Sequence, residues 1–212
     1  MFLSRSRSRS RPRSGFTLVE LLVALALVAV VATIATPPLL RASARLRLRV
    51  AAAEVERAMQ VARSAAARLG THVGLKFHTA EAEAGGPIAW TLYRDGDGDG
   101  VLSSDIDAGT DPVILSSARR APLGGRFGGG VRFGFPPGSA PRDPTTGRRL
   151  TRLDDPIRFN RSDIASFGPL GTATPGSVYL TDGRRGLAVV RVTGRTGRVR
   201  TLLHDPDTGS WR

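Results

Sequence analysis

Hydrophobic and polar positions divide the chain into a greasy rod, an amphipathic rod and a series of short alternating runs. From Phe16 to Thr36 only Thr17, Glu20, Thr33 and Thr36 are not apolar. A helix of that length is about 32 Å long, the thickness of one hydrocarbon core. Beyond it, Leu48, Ala52, Val55, Met59, Ala62, Ala66 and Leu69 recur in alternating steps of four and three, which predicts one apolar seam on a helix. Arg45, Arg49, Glu54, Arg57, Arg63 and Arg68 fall off that seam, and Gly70 supplies a stop. Residues 16–69 therefore read as a single helix, transmembrane over 16–36. Pro37-Pro38 is expected to kink it rather than split it in two.

From residue 70 the period changes. Val73–Phe77, Ile88–Tyr93, Val113–Leu115, Val131–Phe135, Ile157–Phe159, Ser177–Leu180, Leu187–Val192 and Arg198–Leu203 are short runs punctuated by Gly, Pro, Asp and Asn. They predict an antiparallel β-rich domain of about eight strands over residues 70–212, with Gly138–Pro156 as a long excursion. The fold class is α+β, with the second half of the long helix packed on the β-rich domain.

Charge and composition refine this picture at the amino end. The formal net charge is +13, and five of those charges are Arg5, Arg7, Arg9, Arg11 and Arg13, interleaved with serine. Residues 1–15 thus read as a basic leader. The apolar run behind them is longer than a secretory signal core and contains an acid, so a membrane anchor fits better than a cleaved signal. Arg41, Arg45, Arg47 and Arg49 flank its far side, so the arginine balance leaves its orientation open. The chain has no cysteine and a single lysine, Lys76, which excludes disulfides and thiolate metal sites.

Glu20 is the anomaly. A charge within a lipid-facing helix costs about 2.5 kcal/mol or more. An acid in the first turn is favoured by the helix dipole, yet burial in lipid calls for a partner. Gly15-Phe16-Thr17-Leu18-Val19-Glu20, behind a basic leader and ahead of an apolar span, resembles the type IV pilin-like processing motif. At the carboxyl end, Phe167–Ala173, Gly176–Asp182, Thr196–Arg200 and Thr208–Trp211 are similar to the GspH/FimT group of minor pseudopilins.

That resemblance implies a type IV pilin-like fold. A prepilin peptidase would cut between Gly15 and Phe16, and Phe16 would become N-methylated. It further implies a single-pass protein of the bacterial inner membrane with a periplasmic β-rich domain. The subunit would join a pseudopilus of a type II secretion system. Its partners would be other pseudopilins and an inner-membrane assembly platform. Glu20 of one subunit would meet the free amine of the next, which offsets the burial of both groups. The alternative within the same group is a FimT-like minor pilin of pilus assembly or DNA uptake. There Arg198 and Arg200, two positions apart on a strand, would face one side and grip phosphates, with Arg184, Arg185, Arg191 and Arg195 nearby.

Asp95, Asp97, Asp99 and Gly100 match positions 1, 3, 5 and 6 of an EF-type calcium loop, with Ser103 at position 9. Position 12 is Ile106, so Asp105 or Asp107 would have to complete the set. A series of Asp-Gly turns reads equally from the same residues. No cofactor is required, and calcium is the one candidate. Gly-x-Ser-x-Gly, His-Glu-x-x-His and phosphate-loop motifs are absent, and His72, His78 and His204 are scattered, so no enzyme is expected.

Overall fold

A computed structural model describes residues 16–78, 89–116 and 130–212. The leader 1–15, with Gly15, lies outside them, as does Ile88 at the head of one expected strand. The chain divides into two compact units after Ala42.

Helix α1 runs unbroken from Leu18 to Leu69, through Pro37-Pro38, so the split into two helices does not occur. In its first unit the large apolar side chains from Leu18 to Ile34 are 53–77 % exposed. It is the one helix among the described residues long and apolar enough to cross a membrane.

Within the second unit, the expected seam is buried from Leu48 to Ala66. Leu69, predicted to close it, is instead exposed, because it is the last helical residue. A companion row of Ala51, Ala58 and Ala65 is buried as well, and these small residues widen the contact face. Gly70 takes a positive φ of 69° and its N–H donates to the Ala66 carbonyl, ending the helix as a left-handed C′ residue does.

Among the described residues nine strands follow, arranged in two antiparallel sheets. β1 (Val73–His78), β2 (Ala89–Arg94), β3 (Val113–Ser116) and β6 (Ile164–Phe167) form the first, in the order β3-β2-β1-β6. β4 (Arg132–Phe133), β5 (Ile157–Arg158), β7 (Gly176–Thr181), β8 (Leu187–Thr193) and β9 (Arg198–Leu203) form the second. Its order is β4-β7-β8-β9, with β5 also on β7. A short helix α2, Ser103–Ala108, sits between β2 and β3.

The α+β reading holds, with two additions. β6 and α2 were not expected. β6 follows a turn in which Asn160 and Asp163 both adopt φ of 54°, and its four residues include Ser166. α2 buries no residue, so it carries no apolar period to read. Val131–Phe135, expected as a full strand, pairs only at Arg132 and Phe133.

The main core joins the α1 seam to both sheets: Val73, Leu75, Phe77 and Phe167 from one, Val178, Leu180, Val190 and Val199 from the other. Burial of this apolar surface is the dominant favourable term. A hydrogen bond from the Thr201 hydroxyl to Glu56 Oε2, 2.6 Å long, ties β9 to α1. On the opposite face of the second sheet lies a separate cluster of Phe135, Leu150, Tyr179, Leu187 and Val189. Both faces of β7 and β8 are therefore covered, which is why their burial is continuous rather than alternating. The excursion closes this outer cluster. Leu150 and Leu153 pack into it, and the Trp211 indole N–H donates to the Arg142 carbonyl at 2.8 Å.

Candidate functional site

Three groups of residues carry the chemistry proposed from sequence. The first is the amino end of α1. Thr17 is the residue before the helix, and Glu20 lies in the first turn. The Thr17 N–H and hydroxyl both donate to Glu20 Oε2, at 2.9 and 2.8 Å, and the Glu20 N–H donates back to the Thr17 hydroxyl at 3.2 Å. This is a reciprocal capping box, which satisfies orphan donors at a helix start. Glu20 therefore has an intrahelical task besides any contact with a neighbour. The Thr-x-x-Glu spacing that signals it was present in the sequence. Phe16, the residue that cleavage would expose, is fully described and 87 % exposed.

The second group is the acidic loop between β2 and α2. The carboxylates of Asp95, Asp97 and Asp99 each place an oxygen so that all three lie within 4.8 Å of one another. Asp95 is the anchor: its side chain is 1 % exposed and accepts the N–H groups of Gly98 and Gly100, at 2.6 and 3.2 Å. His72 Nδ1 lies 3.5 Å from Asp95 Oδ2. Asp111, also buried, accepts the N–H groups of Gly96 and Leu102 and so pins both ends of the loop. Val101 rests on β1 at Gly74, where an added Cβ would fall 2.6 Å from Val101 Cγ1. The loop is thus fixed to the sheet by backbone and packing, not by the exposed Asp97 and Asp99.

Asp105, the fourth acid expected there, stands outside that close trio, on the first turn of α2. Its Oδ2 is inaccessible to solvent and has no hydrogen-bond partner, while Oδ1 accepts the Ser104 hydroxyl at 3.2 Å. The Asp99 carboxyl is raised above the ordinary carboxylate range, first by local desolvation, then by the charge and hydrogen bond of Asp97 and the charges of Asp105 and Asp95.

The third group is the basic strand. Arg198 and Arg200 of β9 are exposed and flank the buried Val199, so they share the face turned away from α1. Among the described residues neither forms an ion pair. The neighbours expected to extend the patch are partly spent. Arg191, opposite Arg200 in the register, lies 3.7 Å from Asp143, and Arg185 lies 3.0 Å from Asp207. Burial pushes the Asp143 carboxyl up, but the Thr146 and Thr145 N–H groups, Arg191 and the Thr146 hydroxyl outweigh it and hold it below the usual range. Arg184 and Arg195 are exposed.

The three histidines do not converge on one site. His72 faces Asp95, His78 Nε2 meets the Thr91 hydroxyl at 2.9 Å, and the His204 ring packs on Trp211 with centroids 5.0 Å apart.

Comparison with curated proteins and with solved structures gives no match to the chain. Residues 10–36 match the family described as the prokaryotic N-terminal methylation motif. That stretch joins the end of the basic leader, the Gly15-Phe16 bond, Glu20 and the apolar span. With the long α1 and the antiparallel β-rich unit, it supports a type IV pilin-like protein with a motif for prepilin-peptidase processing.

Proposed function

We propose that this chain is a minor pseudopilin of a type II secretion system. After cleavage between Gly15 and Phe16 and methylation of Phe16, it joins a pseudopilus anchored in the inner membrane. Its β-rich unit lies in the periplasm, and the filament serves protein export across the outer membrane. The role is structural, without catalysis by this chain. Its partners are other pseudopilins, the prepilin peptidase and the assembly platform.

The observation that carries the reading is the position of Glu20. It sits five residues after the matched glycine, in the first helical turn and at the head of an apolar face open along its length. Glu20 Oε2 already holds Thr17, so in the isolated subunit the acid is satisfied by its own helix. A neighbour's amine adds a charge-assisted bond that outcompetes or complements this cap. The test is co-expression with a prepilin peptidase and mass spectrometry of the product. A mature chain starting at methylated Phe16 supports the proposal, and an intact arginine-serine start overturns it. Glu20→Gln should be cleaved but excluded from the filament.

A second reading, a FimT-like minor pilin of pilus assembly or DNA uptake, is favoured by the two exposed arginines of β9. Phosphate contacts by Arg198 and Arg200 would make binding fall steeply with salt. Secretion stands first because Arg185 and Arg191 are engaged by acids, which shrinks the basic surface. Salt-dependent DNA binding by the full chain, lost on joint Arg198→Ala and Arg200→Ala substitution, would reverse that order. No binding at low salt would leave secretion ahead.

A further inference from the structure

We propose that the head of the second unit is a surface for anionic phospholipid headgroups, with Arg45, Arg47 and Arg49 of α1 and Arg184 of the β7–β8 turn as its phosphate-binding residues. The proposal rests on α1 crossing a membrane and holds for either filament role.

The sequence sets the depth. From Leu21 to Leu40 there is no charged residue, and a helix of that length spans one hydrocarbon core of about 30 Å. Headgroups fill about the next 5–7 Å of a bilayer. Arg41 is the first charge after the run, and Arg45 stands about 7.5 Å beyond its end along a helix. Helical side chains lean toward the amino end, so long arginines in this stretch reach back to the headgroup layer. No acid occurs between Glu20 and Glu54, so the arginines have no counter-charge of their own along the helix.

The fold adds to them within the second unit. Leu48, buried between Arg47 and Arg49, meets the β7–β8 turn, where an added Cβ at Gly186 would fall 3.1 Å from Leu48 Cδ2. That turn brings the exposed Arg184 beside this stretch of α1. Its single acid is turned to the backbone, since Asp182 Oδ1 accepts the N–H groups of Arg184 and Gly186, both at 2.9 Å. Arg132 joins from β4, its Cζ 3.7 Å from where a Cβ at Gly183 would lie. Arg185 of the same turn is already paired with Asp207. Among the described residues, none of Arg45, Arg47, Arg49, Arg132 and Arg184 forms an ion pair. Their guanidinium groups are therefore free for phosphate, which they can grip with two bonds each. Between the arginines, Leu46 and Val50 are 62 and 47 % exposed. Cations interleaved with uncovered aliphatic side chains fit a lipid surface, which supplies both phosphate and an apolar layer.

Native mass spectrometry of the full-length chain, released in mild detergent from mixed vesicles, should show phosphatidylglycerol retained in preference to phosphatidylcholine. Each arginine near an anionic surface contributes about fivefold. Arg184→Gln should therefore lower the preference about fivefold, and joint Arg45→Gln, Arg47→Gln and Arg49→Gln more than about tenfold. Amide exchange in the turn 182–186 should slow in phosphatidylglycerol nanodiscs relative to phosphatidylcholine ones, and high salt should reverse the slowing. Glutamine keeps the helix propensity of arginine, so melting of the triple variant and its flotation with phosphatidylcholine vesicles should match the wild type. Failure of the wild type to float would overturn the membrane-spanning reading, and the surface with it. Equal retention of the two lipids by a wild type that floats, or an unchanged preference in the folded triple variant, would overturn the surface alone. So would DNA binding in phosphatidylcholine nanodiscs that disappears in that variant, since these arginines would then serve nucleic acid. Exchange in the turn that ignores the lipid would strike Arg184 from the surface.

Discussion

The two stretches of α1 are built from similar apolar residues and meet opposite fates. From Leu18 to Ile34 every large side chain stands more than half exposed, whereas Leu48, Val55 and Met59 are 0–3 % exposed. The difference lies in size and distribution. The first stretch is apolar all round, which suits lipid or other helices. The second confines its apolar residues to one side and mixes them with alanine, which lets the helix approach two sheets closely. An all-round greasy surface requires another solvent, while a striped one requires only its own domain.

Truncation inside the stripe should have the largest effect. Met59→Ala leaves a cavity between α1 and the sheets and should cost about 2–5 kcal/mol in denaturant unfolding. Val28→Ala, in the open stretch, should leave the same transition unchanged. A charge should show the reverse preference. Leu25→Arg places a cation near the middle of the exposed apolar run and should cost about 2.5–3.5 kcal/mol of membrane insertion. Fractionation of cells expressing the variant would show it in the carbonate-extractable pool, with the β-rich unit still folded.

A smaller effect separates the two tasks of Glu20. Thr17→Ala removes the hydroxyl that both donates to and accepts from Glu20, and should cost about 1 kcal/mol of helix stability. Faster hydrogen exchange in the first turn alone would report it, and cleavage at Phe16 should persist.

The smallest effect lies remote from both stretches, at Asp143. Its folded pKa is lowered, so its contribution is present above the unfolded carboxylate value of about 3.9 and is lost as pH falls through the folded value. Asp143→Asn should flatten that acid limb by less than about 1 kcal/mol, measured as the melting temperature below pH 5 against neutral pH.

Period carried the sequence reading furthest. The seam from Leu48 to Ala66 was legible because its spacing repeats, while the companion alanines Ala51, Ala58 and Ala65 were not, since each stands one residue before a seam position and falls outside that alternation. β7 and β8 were visible as β-branched runs. Their two-sided burial depended on Leu150 and Trp211, which are distant in sequence and meet only once the chain has folded. At the sites, the trio of aspartates followed directly from alternate spacing. The orphaned oxygen of Asp105 required the helical turn of α2, and α2 left no pattern to read. The pairing of Arg191 with Asp143 and of Arg185 with Asp207 was hidden because exposed residues of opposite charge give no periodic signal.

The outer cluster on the second sheet is fastened from outside. The excursion supplies Leu150 and Leu153, and the carboxyl end bolts it down through Trp211 and the paired backbones of Leu203 and Arg212. Of these residues only Leu203 also packs against the helix-side core. Evolution can therefore rewrite this shell, in length and in decoration, without renegotiating how the rod meets the sheets. One scaffold can then present many different outer surfaces.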